Sequence, residues 1–134
     1  MYDRPPFAPL GTTPKSILVV EDDQVVRMLT VEVLEELGYR VFEAEDAPEA
    51  LIILERDQPL DLLMTDIGLP GMSGHQLMTA AHQLRPRLPV LFASGYPADE
   101  RLERDPAAPE VATITKPFSL ELLRTTVRDM LERA

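Results

Sequence analysis

The chain has 134 residues, a formal net charge of -10 and no cysteine. That length suits one domain with room for a real core, and the lack of thiols excludes a disulfide framework or a thiolate metal site. The charge argues against nucleic-acid binding, which needs a basic face, and no apolar run approaches the ~20 residues of a membrane span.

An acidic surface of this size suits a divalent cation or a basic partner. The composition is that of an ordinary globular protein, and the cytoplasm is the expected location. Thirteen residues are basic, and only Lys15 and Lys116 are lysines, leaving eleven arginines. A compact ammonium differs in shape from a planar guanidinium fork, so Lys116 stands out.

Residues 1–14 carry Pro5, Pro6, Pro9 and Pro14. This stretch reads as an extended tail or linker. It has no apolar core and so is no signal peptide. Residues 15–134 form the domain.

Ser16-Ile17-Leu18-Val19-Val20 is a buried, β-branched strand. It ends in Glu21-Asp22-Asp23, with Asp23 the expected cap of the next helix. Val25, Val26, Leu29, Val33, Leu34 and Leu37 then recur at helical spacing up to Gly38, a stop signal. Residues 39–44 form a second strand. Asp46, Pro48 and Glu49 open a second helix in the manner of a capping box, with Ala50, Leu51, Ile53 and Leu54 as its buried stripe.

Leu62-Leu63-Met64 leads a third strand to one carboxylate, Asp66, before Pro70 and Gly71 turn the chain. Ser73 and Gln76 cap a third helix that runs to about Leu84, with Leu77, Met78 and Ala81 apolar. Pro89-Val90-Leu91-Phe92-Ala93 is a fourth strand, closed by the turn chemistry of Ser94-Gly95-Tyr96-Pro97. In 98–110 the pattern weakens around Pro106 and Pro109; a short helix over 99–104 is expected, then loop. Residues 111–115 form a fifth strand ending at Lys116-Pro117. Ser119 caps a last helix from Leu120 to about Glu132, with Leu122, Leu123, Val127 and Leu131 on its stripe.

Five β/α units imply a parallel sheet with helices on both faces, an α/β three-layer sandwich with right-handed crossovers. The doubly wound strand order 2-1-3-4-5 suits this size, with its switch point between the first and third strands. Glu21, Asp22, Asp66, Ser94 and Lys116 then share the carboxyl edge. Three converging carboxylates repel unless a cation offsets them. An oxygen-only donor set favours a hard ion: Mg²⁺, or else Mn²⁺ or Ca²⁺. A metal, a hydroxyl and an ammonium around one carboxylate make a site for a phosphoryl group on it.

At this point a resemblance emerges. Four pieces carry it: Ile17-Leu18-Val19-Val20-Glu21-Asp22-Asp23; Thr65-Asp66-Ile67-Gly68-Leu69-Pro70-Gly71-Met72-Ser73-Gly74; Phe92-Ala93-Ser94-Gly95-Tyr96; and Lys116-Pro117-Phe118. In this order and spacing the chain resembles the receiver domain of two-component response regulators over residues 15–133. The resemblance implies a flavodoxin-like (βα)5 fold with Asp66 as phosphoacceptor. It implies Mg²⁺ held by Glu21, Asp22, Asp66 and the Gly68 backbone carbonyl. Ser94 becomes the switch hydroxyl, Lys116 the phosphoryl contact, and the Lys116-Pro117 bond cis. Gly68 and Tyr96 fall where the family tunes phosphoryl lifetime.

The chain also departs from the family. Glu21 stands where Asp is frequent, Ser94 where Thr is usual, and Thr113 where an aromatic switch residue is usual. Tyr96 and 98–110 then become alternative carriers of the signal. The implied partners are a histidine kinase or histidine phosphotransfer protein and a downstream protein, with no nucleic acid and no membrane; a homodimer is left open. The chain is expected to be a signalling phosphoacceptor and not an enzyme. It acts either alone or as the receiver piece of a hybrid histidine kinase.

Three rival readings are open to the same residues. A Mg²⁺-dependent aspartyl phosphohydrolase usually has a second acid two residues after the nucleophile, where Gly68 stands. A nucleotide or flavin module needs a phosphate loop after the first strand, where the acids stand. An unphosphorylated docking module is disfavoured by the complete site. Blander readings make Asp61 a solvated strand-start residue, His75 and His82 ordinary helix residues, and Pro117 and Phe118 packing groups.

Overall fold

The computed structural model describes residues 14–95 and 109–133. Residues 1–13 and the turn residue Tyr96 lie outside them, as do the expected helix over 99–104 and most of the 98–110 segment.

Five strands form one sheet: β1 (Ser16–Val20), β2 (Arg40–Ala44), β3 (Leu62–Asp66), β4 (Val90–Ser94) and β5 (Val111–Thr115). All pairings are parallel and the order is β2-β1-β3-β4-β5. The described helices are α1 (Gln24–Glu36), α2 (Ala47–Glu55), α3 (Gly74–Leu84) and α4 (Leu120–Arg133). This is the doubly wound architecture expected from the sequence.

Burial on both faces explains the unbroken apolar runs of β1, β3 and β4. Alternate residues of a strand point to opposite sides. Leu18, Val20, Leu63 and Phe92 therefore pack with α2 and α3. Ile17, Val19, Met64 and Leu91 pack with α1 and α4 on the other side. Strands β2 and β5 lie at the edges and are less buried.

The helix ends follow local chemistry. Asp23 caps α1 by accepting from the amides of Val25 and Val26. Asp46 accepts from the Glu49 amide at the start of α2. Ser73 and Gln76 form the reciprocal capping box of α3. The Ser119 hydroxyl accepts from the Leu122 amide. Gly38, with φ 103°, supplies the left-handed residue that releases α1.

Two helix stripes are placed differently from the sequence expectation. Val25 and Leu29 are 60% and 53% exposed; α1 buries Leu34 of the expected series and, beside it, Thr30 and Val31. In α4, Leu122 is exposed and Met130 is buried. Both helices carry apolar residues on more than one face, so spacing alone cannot choose which face meets the sheet.

Asp61 also has a structural role in place of free solvation. Its carboxylate accepts from the Ser16 amide at 2.7 Å while its own amide donates to the Ser16 carbonyl at 2.8 Å. That reciprocal pair joins the starts of β1 and β3.

Arg85 ties α3 to the end of α2. Its guanidinium donates to the carbonyls of Leu54, Arg56 and Gln58 at 3.0, 2.6 and 2.8 Å. A helix C-terminus leaves carbonyls without intrahelical partners, and one arginine fork satisfies several.

Candidate functional site at the carboxyl edge of the sheet

The strand register decides which residues meet. Val20 pairs with Ala44 and Thr65, Asp66 with Ala93, and Ser94 with Thr115. The strand ends are therefore staggered by one residue from β1 to β3 and by one more from β3 to β4, while β2 ends level with β1 and β5 level with β4. The ladder continues one step further: Glu21 donates its amide to Ala44, Ile67 to Ala93, and Lys116 to Ser94. Side chains following β1, β3 and β5 emerge around one spot beside the switch point, where ligands bind in such sheets.

Glu21, Asp22 and Asp66 each offer a carboxylate oxygen, and these oxygens lie within 4.8 Å of one another. Glu21 is buried, Asp66 partly buried and Asp22 exposed. Lys116 reaches across the sheet to this cluster. Its Nζ donates to a Glu21 oxygen at 2.5 Å and to an Asp66 oxygen at 3.1 Å. The Lys116-Pro117 peptide is cis.

The electrostatics follow from burial and proximity. Burial pushes the Glu21 carboxyl above its usual range; the bonds from Lys116 and the Asp23 amide oppose this without cancelling it. For Lys116 burial acts to lower the ammonium's pKa. The hydrogen bonds to Glu21 and Asp66, with their charges, together outweigh it, so the pKa is raised.

Asp66 is held by its own loop. One oxygen accepts from the Gly68 amide at 3.1 Å, and the other accepts from Lys116. Gly68 is exposed with open space around its α-carbon. Ser94 is buried at the end of β4. Thr113 sits opposite Phe92 in the β4–β5 register, and the His75 ring packs on Phe92 at 4.6 Å between centroids. His82 bonds the Leu88 carbonyl at 2.8 Å through Nε2. Both histidines thus have packing and tethering roles.

Two residues that build the site were not singled out from the sequence. A side chain at Gly74 would put its Cβ 2.5 Å from the Asp66 carbonyl oxygen, so only glycine lets α3 start this close to β3. The sign of this was Gly74 directly after the Ser73 cap. Arg27 donates from Nη1 to the Glu21 carbonyl at 2.8 Å and from Nε to Glu43 at 3.2 Å. Its position one turn into α1 carried no such signal.

The oxygen-only donor set fits a hard divalent ion, and an ammonium already shares the negative charge. Chemically the cluster suits a dense anionic group placed at Asp66, faced by cations on both sides.

A family model for the response regulator receiver domain matches residues 17–128. The sensor kinase CckA of Brucella abortus (strain 2308) is 38% identical over 119 residues, a match covering 88% of this chain and 13% of CckA. The response regulator receiver protein CpdR of the same organism is 36% identical over 118 residues, covering 87% of this chain and 97% of CpdR. A CheY-like response regulator receiver domain protein from Methanospirillum hungatei JF-1 superimposes with a TM-score of 0.79 at 33% identity, covering 90% of this chain and 96% of that one.

Proposed function

The chain belongs to the response regulator receiver domain family, and we propose that it is a phosphorylation-controlled switch whose acceptor is Asp66. A phosphohistidine of a kinase or phosphotransfer protein supplies the phosphoryl group. The observation that carries this reading is the Lys116 ammonium bonded to Asp66 inside a cluster of three carboxylates.

In the transfer, an Asp66 carboxylate oxygen bonds to phosphorus as the phosphorus–nitrogen bond to the donor imidazole breaks. The imidazole leaves with the electron pair and takes up a proton. Glu21, Asp22, Asp66 and the Gly68 carbonyl would hold Mg²⁺, with Mn²⁺ as the substitute. When bound, the ion supplies positive charge against the phosphoryl oxygens. Lys116 faces the same oxygens from β5 and keeps its proton. The Gly68 amide, now on one Asp66 oxygen, orients the attacking carboxylate.

The readout begins at Ser94, whose hydroxyl we assign to the new phosphoryl oxygens. Movement there reaches β5 through the register of Ser94 with Thr115 and Phe92 with Thr113. Thr113 is small, so Tyr96 is assigned a share of the relay. Gly68 and Tyr96 are assigned to phosphoryl lifetime. Gly68 carries no side chain near the scissile bond, leaving water's approach to its neighbours.

The donor face is assigned to α1. Val25, Met28 and Leu29 are exposed apolar residues that begin two positions after Asp23, beside the site. Downstream contact is with another protein, and a homodimer would use the same kind of surface. We read 15–134 as the receiver unit and 1–14 as tail or linker. It is a phosphoacceptor with slow self-dephosphorylation, not a turnover enzyme, and acts in the cytoplasm with its kinase. No described helix is long and apolar enough to cross a membrane.

Receiver action as an individual protein draws on CpdR, nearly all of whose length is matched. The second reading, a receiver piece of a larger kinase, draws on CckA. The test is Mg²⁺-dependent labelling by acetyl phosphate, with intact mass as the readout. Asp66→Ala is expected to abolish the adduct, and an adduct that persists in that variant rejects the assignment.

A further inference from the structure

Arg27 is bonded to the strand end that bears two of the three acids. Glu21 donates its amide to Ala44 at 3.1 Å, and its carbonyl accepts from Arg27 Nη1 at 2.8 Å. That carbonyl belongs to the peptide plane joining Glu21 to Asp22. Asp22 is exposed and its side chain is hydrogen-bonded to Glu21, so the peptide plane between them sets where its α-carbon and that pair of carboxylates sit.

The guanidinium is itself held in place. The Arg27 side chain is only 14% exposed, and its Nε donates to Glu43 of β2 at 3.2 Å. The Arg27 amide donates to the Asp23 carbonyl at 2.9 Å as α1 begins. A planar fork can serve a carbonyl and a carboxylate at once, whereas an ammonium offers only a point charge. Glu43 also balances the charge that Arg27 brings close to the acidic cluster.

We propose that Arg27, fixed by Glu43, is a positioning residue for the acidic site. It holds the Glu21–Asp22 peptide plane so that both carboxylates converge on Asp66 ready for a divalent ion. The inference rests on the metal reading above. Partners outside the ligand set that orient it commonly change metal affinity by about 10- to 100-fold.

The test is calorimetric titration of the full chain with Mg²⁺, without phosphodonor. Arg27→Ala is expected to weaken Mg²⁺ binding by about tenfold or more, Arg27→Lys by less, and Glu43→Gln by least. Arg85→Ala serves as the control, since it loosens the fold far from the site. It is expected to bind as the parent does. Amide NMR shifts of the metal-free chain give a second readout. In Arg27→Lys, which keeps charge and helix propensity, the changes are expected to centre on residues 21–23.

The inference is overturned if Arg27→Ala and Arg27→Lys bind Mg²⁺ as tightly as the parent. It is also overturned if Arg85→Ala at matched stability loses as much affinity. A parent chain that takes up no Mg²⁺ overturns the metal reading and this inference together.

Discussion

The Lys116 Nζ bridges Glu21 and Asp66, at 2.5 and 3.1 Å, so one ammonium from β5 holds acids from β1 and β3 together. It bonds two of the acids that would hold a divalent ion. Bound Mg²⁺ would therefore compete with Lys116 for Glu21 and Asp66. Lys116→Met is expected to tighten Mg²⁺ binding by removing a competing cation. It is also expected to slow labelling by about 100-fold, the scale of losing one charged partner of a reacting group. Mg²⁺ titration and a labelling time course, run on the same samples, check the two opposite effects.

The Glu21 carboxyl, raised by burial above 4.5, makes the metal-free protein respond to pH. Between the ordinary carboxylate value and its raised folded value, Glu21 holds more proton in the folded chain than in the unfolded one. The folded state binds more protons there, so this group's contribution to stability falls as pH rises through the folded value. Mg²⁺ selects the carboxylate and opposes that loss. Urea unfolding across a pH series is expected to show a declining component without metal, absent in Glu21→Gln and offset by Mg²⁺. Mg²⁺ affinity is expected to drop as pH falls through the same range.

Gly74 is expected to resist substitution far more than Gly68. A Cβ at 74 meets the Asp66 carbonyl at 2.5 Å and the Ile67 α-carbon at 2.9 Å, whereas one at 68 meets nothing within 4 Å. Backbone must move in Gly74→Ala, at a cost of about 1–3 kcal/mol, and the displaced residue is Asp66 itself. Denaturation midpoints and labelling rates should both fall in Gly74→Ala. Gly68→Ala should keep its midpoint, and any change should appear in the decay of the adduct.

Arg85→Ala separates stability from chemistry. Loss of a charged donor to three carbonyls at the end of α2 is expected to cost about 1.5–3 kcal/mol. The residue lies at the opposite end of α3 from Asp66, so labelling of the folded protein should be unchanged. A urea midpoint shift with a normal labelling rate is the expected pair of results.

Caps and strand ends were legible because they are local. Asp23, Asp46, Ser73 and Ser119 each bond an amide two or three residues ahead, so short windows of sequence contain both partners. The convergence of Glu21, Asp22, Asp66 and Lys116 was legible for a different reason. Parallel strands of equal length send every strand end to one edge, so order and spacing alone place these residues together.

Sequence by itself determined the alternation of strands and helices, their caps and the gathering of acids, hydroxyl and lysine at one edge. Tertiary structure alone decided which face of α1 is buried, leaving Val25, Met28 and Leu29 outside. It alone decided that Asp61 holds the Ser16 amide, that Arg85 closes α2, that Gly74 must lack a side chain and that Arg27 holds the Glu21 carbonyl. In each case the partner lies beyond the two- or three-residue reach of a cap, from six residues away for Arg27 to 45 for Asp61, or two faces are equally apolar, so the outcome depends on distances that exist only once the chain has folded.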